Sequence, residues 1–203
     1  MESISFRVAT PSDASLIKKL INTMYGSEYE KRDDEAIEKA IENKTEFYIL
    51  AYNDEACVGF SGASLNNEYY SFIITPDIAV IDYIFVYDCF RGLEVAFRLI
   101  KELVSTLLKN NVEQAIMQVQ TYNKQRFFHY ALCDKNIIYS TKLLSKGVEY
   151  DDQILLIEDL AFVDKMTKRD IMKRVKKYML QQWWVYNLFN KQKVKELNNP
   201  LFF

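Results

Sequence analysis

The turn at Arg91 and Gly92 constrains the fold of this chain more than any other feature. The run before it, VIDYIFV at 80–86, consists mostly of β-branched and aromatic residues. The run after it, VAFRLIKELVSTLLKN at 95–110, repeats apolar residues at intervals of three and four. These patterns predict a β-strand and an amphipathic helix joined by a tight turn. Because the first N–H groups of a helix have no partner within it, such a turn is also suited to hold a phosphate.

The other patterns predict one mixed domain followed by an appendage. Over residues 3–160 the predicted order is β-α-α-β-β-β-α-β-α-β-β, and no segment repeats. The first helix is predicted to begin at Pro11 and Asp13, and the second at Asp33 and Asp34. These residue types are common at helix starts because they suit the unpaired N–H groups of the first turn. The chain has 203 residues, of which 49% are hydrophobic and 27% charged, and this balance is sufficient for a buried core.

Composition excludes several classes of protein. No apolar run reaches the roughly 20 residues that cross a bilayer, and the first residues lack the basic and apolar regions of a signal peptide. Cys57, Cys89 and Cys133 are scattered without metal-ligand spacing, which predicts free thiols in a cytoplasmic protein. His129 is the single histidine, so a metal site built on several histidines is excluded.

The order of these elements, with the Arg-Gly turn before the third helix, resembles the GNAT superfamily of N-acetyltransferases over residues 3–160. In that family the turn reads Arg/Gln-x-x-Gly-x-Gly/Ala. Arg91 and Ala96 match this pattern, whereas Glu94 replaces its first glycine. The resemblance implies an α/β fold of the α+β mixed-sheet type, in which helices flank a central, mostly antiparallel sheet and a helical extension follows. It also implies an enzyme, an acyl-CoA-dependent N-acetyltransferase.

The same resemblance implies acetyl-CoA as the acyl donor, no metal, and a pyrophosphate held by backbone amides of the turn. The residues implied to contact acetyl-CoA are Phe85, Val86, Arg91, Gly92, Leu93, Glu94, Val95, Ala96 and Asn123. A glycine in place of Glu94 would let the phosphate approach the backbone, whereas glutamate adds a side chain and a negative charge. An acidic residue also simply suits the first turn of a helix, and Arg98 one turn later could neutralise it.

Two interpretations of this turn stay open. In the first, the turn still binds acetyl-CoA and the protein is a working N-acetyltransferase. In the second, Glu94 has closed the turn, and the protein is a catalytically impaired GNAT-fold binding or regulatory module that acts through its basic C-terminal helix.

Acetyl transfer by direct attack needs one group that takes a proton from the amine and one that gives a proton to the leaving thiolate. The resemblance assigns the first role to Asp82, in the strand before the turn, and the second to Tyr130, seven residues after Asn123. The alternatives are a solvent-facing carboxylate at the edge of the strand and an aromatic side chain that packs its helix on the sheet. His129 is a second candidate acid, and Cys89 is expected to pack rather than to carry an acyl group.

The acceptor amine is expected beside the first two helices, again by resemblance. This region, MYGSEYEKRDDEAIE at 24–38, is rich in acidic residues and offers Tyr25, Glu28 and Tyr29 as substrate contacts. An acidic, aromatic cleft suits a small cationic amine or the lysine or N-terminus of a protein. The alternative is a solvated loop whose acidic residues belong to the start of a helix.

The C-terminal extension, 161–203, differs in charge from the domain at 1–160. It carries ten Lys and Arg against three Asp and Glu, whereas the domain carries 16 against 25. Residues 164–190 are expected to form one amphipathic helix capped by Asp164 or Thr167. Three uses are open. The helix packs on the acidic domain or on a second copy in a homodimer, it binds nucleic acid or an anionic membrane surface, or it covers the cofactor cleft. Packing is the preferred hypothesis.

Overall fold

The computed structural model describes residues 4–26, 29–65, 78–91, 93–120, 126–145 and 148–181, and it confirms the predicted order of elements. The strands are β1 (Ser5–Val8), β2 (Glu46–Asn53), β3 (Ala56–Ser64), β4 (Ile78–Val86), β5 (Gln114–Gln120), β6 (Ile137–Ser145) and β7 (Val148–Ile157). The helices are α1 (Ala14–Tyr25), α2 (Asp34–Glu42), α3 (Leu93–Lys109), α4 (Arg126–Leu132), α5 (Leu160–Lys165) and α6 (168–181). Among these residues, no helix combines the length and the apolar character needed to span a membrane.

The strands form one sheet in the order β1-β2-β3-β4-β5-β7-β6. The β4–β5 pair is parallel and the other described pairs are antiparallel, which confirms the predicted mixed sheet. The parallel register joins Ile78–Ile81 to Gln114–Met117. Beyond it, β4 continues to Val86 against β3, and β5 continues to Gln120 against β7. The sheet therefore divides between β4 and β5 after Ile81.

Asp82 lies in a β-bulge at the point where the sheet divides. β3 pairs Gly62 with Tyr83 and Ala63 with Ile81, so Asp82 is the extra residue of β4. Ile81 packs in the core cluster beneath α3, whereas Tyr83 packs with the cluster on the opposite face. Two residues at this spacing share a face in a regular strand, so the bulge has reversed the alternation.

Helices cover both faces of the sheet because their apolar residues recur at helical spacing. α3 covers one face, and its fully buried side chains are Leu99, Ile100, Leu103, Val104 and Leu107. α1 covers the other face at β2 and β3, and it buries Ile17, Leu20 and Ile21. Burying one such side chain stabilises the fold by about 1.5–3 kcal/mol. The two layers hold β4, the strand of Asp82, between them.

The C-terminal extension contains two helices where one was predicted. α5 ends at Lys165, and Thr167 caps α6. The main-chain N–H of Asp170 donates to Thr167 Oγ1 at 3.2 Å, and the N–H of Thr167 donates to the Asp170 carboxylate at 3.0 Å. Asp164 lies inside α5, so the suggestion that it caps the helix is wrong.

α6 packs on the domain through Ile171, Val175 and Tyr178, which are buried in the same cluster as α3. The packing hypothesis therefore holds for the described part of the extension. The remaining residues, 182–203, lie outside the described residues. The domain boundary at residue 160 and a homodimer through this helix stay predictions.

α6 also fixes the turn that ends α4. Asp134 and Lys135 have positive φ angles of 45° and 58°, a region in which residues other than glycine are strained. Tyr178 Oη donates to the Asp134 carboxylate at 2.5 Å, and the Arg174 guanidinium pairs with the same carboxylate at 3.5 Å. The guanidinium also donates to the carbonyl of Ala131 at the end of α4. These contacts stabilise a turn that lacks glycine.

Gly59 of β3 leaves no room for a side chain. A Cβ at this position would lie 2.6 Å from the carbonyl oxygen of Phe85 and 3.2 Å from the Cα of Val86. Since backbone atoms are in the way, Gly59→Ala must push β3 and β4 apart. We expect the free energy of unfolding, measured by urea denaturation, to fall by about 1–3 kcal/mol.

The control for this change is Ala56→Ser at an exposed position of the same strand. It should alter the free energy of unfolding by less than about 0.5 kcal/mol. A Gly59→Ala protein as stable as the wild type would contradict the close approach of the two strands.

Candidate active site

Asp82 is held at the division of the sheet by a hydrogen bond from β3. Ser64 Oγ donates to Asp82 Oδ2 at 2.6 Å. Burial raises the pKa of Asp82 from 3.8 to about 7, while the hydrogen bond from Ser64 acts in the opposite direction. The charge of Glu46 raises this pKa further and that of Arg32 lowers it. Asp82 is therefore a partly buried carboxyl rather than a solvent-facing one, and it can gain or lose a proton near neutral pH.

The predicted acceptor residues Tyr25 and Tyr29 lie beside Asp82. Tyr25 Oη donates to the main-chain carbonyl of Asp82 at 3.3 Å, and its ring stacks on that of Tyr29 with the centroids 4.4 Å apart. The ring of Tyr83 meets Tyr25 edge-on at 6.1 Å. The exposed fractions of Tyr25 and Tyr29 are 46% and 58%, so an open aromatic surface adjoins the carboxyl. Glu28 lies outside the described residues.

The phenol of Tyr25 stays protonated at neutral pH. Burial, with the neighbouring Tyr29 and Asp82, raises the pKa of Tyr25 to about 12. Burial likewise raises the pKa of Tyr83 well above its ordinary value. Both groups therefore act as hydrogen-bond donors, and Asp82 is the group of this set that changes charge near pH 7.

The candidate site also includes Arg32, Glu46 and Tyr48, which no pattern in the sequence indicated. Tyr48 Oη donates to Glu46 Oε2 at 2.6 Å, and the ring of Tyr48 stacks on that of Tyr83 at 6.2 Å. Arg32 pairs with Glu46 and, at 2.8 Å, with Glu30. The alternation that puts Glu46 and Tyr48 on one face of β2 could have revealed that pair. Arg32 comes from a loop before α2 and left no local signal.

Two acidic residues before α2, Glu30 and Asp33, are engaged in local structure. Burial alone would raise the pKa of Glu30, but the hydrogen bonds from Arg32 lower it overall. Asp33 accepts a hydrogen bond from the N–H of Ala36 at 2.8 Å and caps α2. These contacts favour the interpretation of this acidic run as the start of a helix. Contact of an acceptor with Tyr25 and Tyr29 stays a prediction.

Arg91 makes two contacts within the turn between β4 and α3. Arg91 Nε donates to the carbonyl of Val86 at 3.2 Å, and its guanidinium pairs with Asp88 at 2.7 Å. These contacts of Arg91 stabilise the conformation of the turn. Gly92 lies outside the described residues. Cys89 is exposed in the same turn, so the prediction that it packs is wrong.

The side chains of the other predicted acetyl-CoA contacts serve packing. Val86 and Val95 are buried in the core cluster of α3, and Ala96 packs against it. Phe85 packs on the opposite face of β4. Any contact of these residues with a pyrophosphate would therefore come from their backbone. The side chain of Leu93 and the whole of Asn123 lie outside the described residues, and in the part of the chain that the structure describes no cluster of His, Cys, Asp and Glu could hold a metal ion.

Glu94 is exposed in the first turn of α3, and its carboxylate pairs with Lys168 of α6. The hydrogen bond and the charge of Lys168 lower the pKa of Glu94, and the charge of Arg98 adds to the effect. Arg98, the expected partner, instead lies over the ring of Phe6 at 4.2 Å and donates to the carbonyl of Ile4 at 3.4 Å. The ion-pair partner of Glu94 thus comes from the C-terminal extension.

Tyr130 is buried, and its hydroxyl donates to Gln153 Oε1 at 2.7 Å. Its ring lies edge-on to that of Tyr178 at 6.0 Å. Gln153 of β7 pairs with Val119 near the end of β5, which puts Tyr130 on the β5 side of the divided sheet. Proton donation to a thiolate would require the phenol hydrogen to leave Gln153. His129, the second candidate acid, is partly buried.

The sequence matches the acetyltransferase (GNAT) family over residues 15–130. The match includes Asp82, the turn at Arg91 and the whole of α3. The chain therefore belongs to the GNAT acetyltransferase family, and this membership supports acetyl transfer as its class of reaction.

Several solved structures share the fold. NAA60 from Arabidopsis thaliana in complex with acetyl-CoA is similar with a TM-score of 0.56 and 17% identity, over 76% of this chain and 97% of that one. A GNAT-family acetyltransferase from Streptococcus pneumoniae has a TM-score of 0.58 and 14% identity, over 76% and 98%. Ribosomal-protein-alanine N-acetyltransferase from Brucella melitensis has a TM-score of 0.55 and 15% identity, over 75% and 98%. No curated protein matches the sequence significantly. At these identities the likeness shows the fold.

The raised pKa of Asp82 predicts that its contribution to stability depends on pH. The folded protein keeps this proton up to about pH 7, whereas the unfolded chain releases it near pH 4. The contribution of Asp82 to the free energy of unfolding is therefore at its maximum below about pH 4 and is lost as the pH rises through about 7. We expect Asp82→Asn, which stays neutral, to exceed the wild type in free energy of unfolding by about 1–3 kcal/mol at pH 8 and to lose most of this advantage near pH 4.

The measurement is urea denaturation at the two pH values, and Asp54→Asn is the matched control. Asp54 is exposed in the turn between β2 and β3, so its substitution should alter the free energy of unfolding by less than about 0.5 kcal/mol at either pH. If Asp82→Asn differed from the wild type by the same amount at both pH values, the carboxyl would not have a raised pKa.

Proposed function

We propose that the protein is an N-acetyltransferase that moves an acetyl group from acetyl-CoA to a primary amine by direct attack within a ternary complex. The position of Asp82 carries this proposal. A partly buried carboxyl with a pKa of about 7 lies in the bulge where β4 and β5 part. The aromatic surface of Tyr25 and Tyr29 adjoins it, and the turn into α3 follows on the same strand.

Acetyl-CoA suits the residues at the divided end of the sheet. The backbone of Phe85 and Val86 follows the bulge, and the first turn of α3 offers N–H groups and the positive end of a 17-residue helix to a pyrophosphate. Lys168 offsets the negative charge of Glu94 at this turn. NAA60, whose fold is similar, was solved with acetyl-CoA. When bound, acetyl-CoA supplies the thioester that the amine attacks.

Asp82 is the proposed base, which receives the amine proton directly or through a water molecule. An ammonium group has no lone pair, so it must lose a proton before it can attack. The pKa of a lysine side chain is about 10.4 and that of an α-amino group about 7.7–8.0. The second range is much closer to the pKa of Asp82, about 7. Proton transfer is therefore easier from an α-amine, and we rank peptide N-termini and small amines of similar pKa ahead of lysine side chains as acceptors.

Tyr130 is the proposed proton donor to the leaving thiolate. It lies on the β5 side of the divided sheet, opposite the β4 side that carries Asp82. Its hydroxyl hydrogen is donated to Gln153 at 2.7 Å, so the hydroxyl must rotate away from Gln153 before it can give its proton to the thiolate. In this arrangement the base and the acid come from opposite sides of the division, which suits a reaction between an amine and a thioester held between them.

A cytoplasmic location stays a prediction from the sequence.

The second candidate function is a GNAT-fold binding or regulatory module that acts through α6. Two observations favour it. Glu94 replaces a glycine of the family pattern, and the guanidinium of Arg91 is already engaged by Asp88 and by the carbonyl of Val86. This function requires that acetyl-CoA does not bind.

Calorimetric titration of the purified protein with acetyl-CoA, and with CoA for comparison, separates the two functions. We expect binding in the micromolar range. A screen of free N-terminal peptides, polyamines and lysine peptides for acetyl transfer would then identify the acceptor. If no heat of binding and no transfer were observed, the enzyme would be rejected in favour of the binding module.

Asp82→Asn tests the proposed base. We expect kcat to fall by about 10²–10⁴-fold, the usual contribution of a general base, while the Kd for acetyl-CoA stays within about twofold of the wild type because this carboxyl is assigned no contact with it. In the wild type, kcat/KM should decline as the pH falls below about 7, where Asp82 becomes protonated.

Asp54→Asn is again the control, and it should keep both the rate and the pH profile. An Asp82→Asn enzyme with the wild-type rate, or a wild-type profile without a decline below pH 7, would remove Asp82 from the role of base.

A further inference from the structure

Lys168 is fixed beside the start of α3 although it belongs to the C-terminal extension. It is the first residue of α6, directly after the cap formed by Thr167. Ile171, one turn later, is 1% exposed in the core cluster of α3. Lys101 of α3 donates to the carbonyl of Met166, just before the cap, at 3.3 Å. The side chain of Lys101 and the packing of Ile171 therefore hold the start of α6 against α3.

The ion pair of Lys168 and Glu94 is expected to contribute little to the stability of the fold. Both side chains are largely exposed, at 53% and 63%, and exposed ion pairs contribute little to folding because water and salt screen them. The pair has a clearer effect on the charge at the N-terminus of α3. Glu94 puts a negative charge at the place where a helix otherwise attracts anions, and Lys168 cancels it.

Arg98, another cation near Glu94 among the described residues, is less suited to this role. The guanidinium of Arg98 lies over the ring of Phe6 and donates to the carbonyl of Ile4, whereas Lys168 pairs directly with the Glu94 carboxylate. The family match ends at residue 130, so α6 is outside the part of the chain that the family defines. An enzyme with glycine in place of Glu94 would have no need of Lys168.

We propose that Lys168 is a further residue of the acetyl-CoA site, where it cancels the charge of Glu94 and so allows the first turn of α3 to hold the pyrophosphate. This role presupposes the proposed function. It makes α6 a working part of the site rather than an appendage, because the residue that compensates for the lost glycine comes from the extension.

The test compares Lys168→Ala with Lys176→Ala by calorimetric titration of the full-length protein with acetyl-CoA. Lys176 is exposed on the same helix, so its substitution makes the same change of charge away from Glu94. Removing Lys168 leaves the carboxylate uncompensated next to a doubly charged pyrophosphate, which should raise the Kd by about tenfold at about 0.05 M salt. The Kd of the Lys176→Ala protein should change by less than about twofold, and the effect of Lys168→Ala should shrink at about 0.5 M salt.

A double variant separates charge cancellation from other effects of losing Lys168. In Lys168→Ala/Glu94→Gln the carboxylate is absent as well, so the Kd should return to within about threefold of the wild type. Thermal unfolding of each variant shows whether the fold is kept, and the double variant controls for any loss of helix structure at residue 168. A double variant that binds as weakly as Lys168→Ala would overturn charge cancellation.

The outcomes for this inference and for the proposed function differ. If the wild type binds acetyl-CoA and Lys168→Ala binds it equally well, the role of Lys168 is wrong and the proposed function stands. If the wild type does not bind acetyl-CoA, both are wrong. If Lys168→Ala and Lys176→Ala weaken binding to the same extent, the effect is one of overall charge and the assignment to Lys168 is also wrong.

Discussion

The division of the sheet between β4 and β5 is the constraint on which the rest of the site depends. A continuous ladder would use the backbone groups of both strands, whereas strands that part leave such groups to be satisfied by other partners. The bulge at Asp82 occurs at the same step. In a regular strand Asp82 and Tyr83 would face opposite sides, and one of them would enter the core beneath α3. The bulge lets the carboxyl bond Ser64 while the ring of Tyr83 joins the aromatic surface of Tyr25.

The sequence was sufficient for the elements and their order because these depend on local periodicity and caps. It also placed Asp82 in β4 and Tyr25 at the end of α1, while the roles assigned to these two residues stay predictions. It did not reveal Arg32 or Lys168, because their partners are set by tertiary packing: Arg32 reaches Glu46 in β2, and Lys168 reaches Glu94 across 74 positions of sequence. The division of the predicted C-terminal helix was missed for a different reason. Met166 is extended and ends α5, and the hydrogen bonds between Thr167 and Asp170 start α6, a break that the apolar spacing did not indicate.

The basic character of the extension has a structural use within the described residues. Lys168 pairs with Glu94, and Arg174 and Lys177 approach Asp134, so cations of α6 meet carboxylates of the domain at both ends of the contact. Tyr178 adds a hydrogen bond to Asp134 while its ring packs on Tyr130. Charge complementarity of this kind fixes orientation more than it adds affinity. The excess of positive charge is thus accounted for in part by docking on an acidic domain, without recourse to nucleic acid or a membrane surface.

The two halves of the proposed reaction depend on different parts of the chain. Asp82 and the aromatic surface rest on α1, β2 and β3, whereas α6 packs against both α3 and Tyr130. α6 packs in the core cluster of α3 and not in that of α1. A change in α6 is therefore expected to alter the proposed acetyl-CoA site at the start of α3 without altering the surroundings of Asp82. Changes in the extension should therefore affect acetyl-CoA affinity and, through Tyr130, the protonation of the thiolate, whereas changes near the bulge should affect proton removal from the amine. In this arrangement β4 connects the two sides, since the bulge and the turn into α3 lie on one strand.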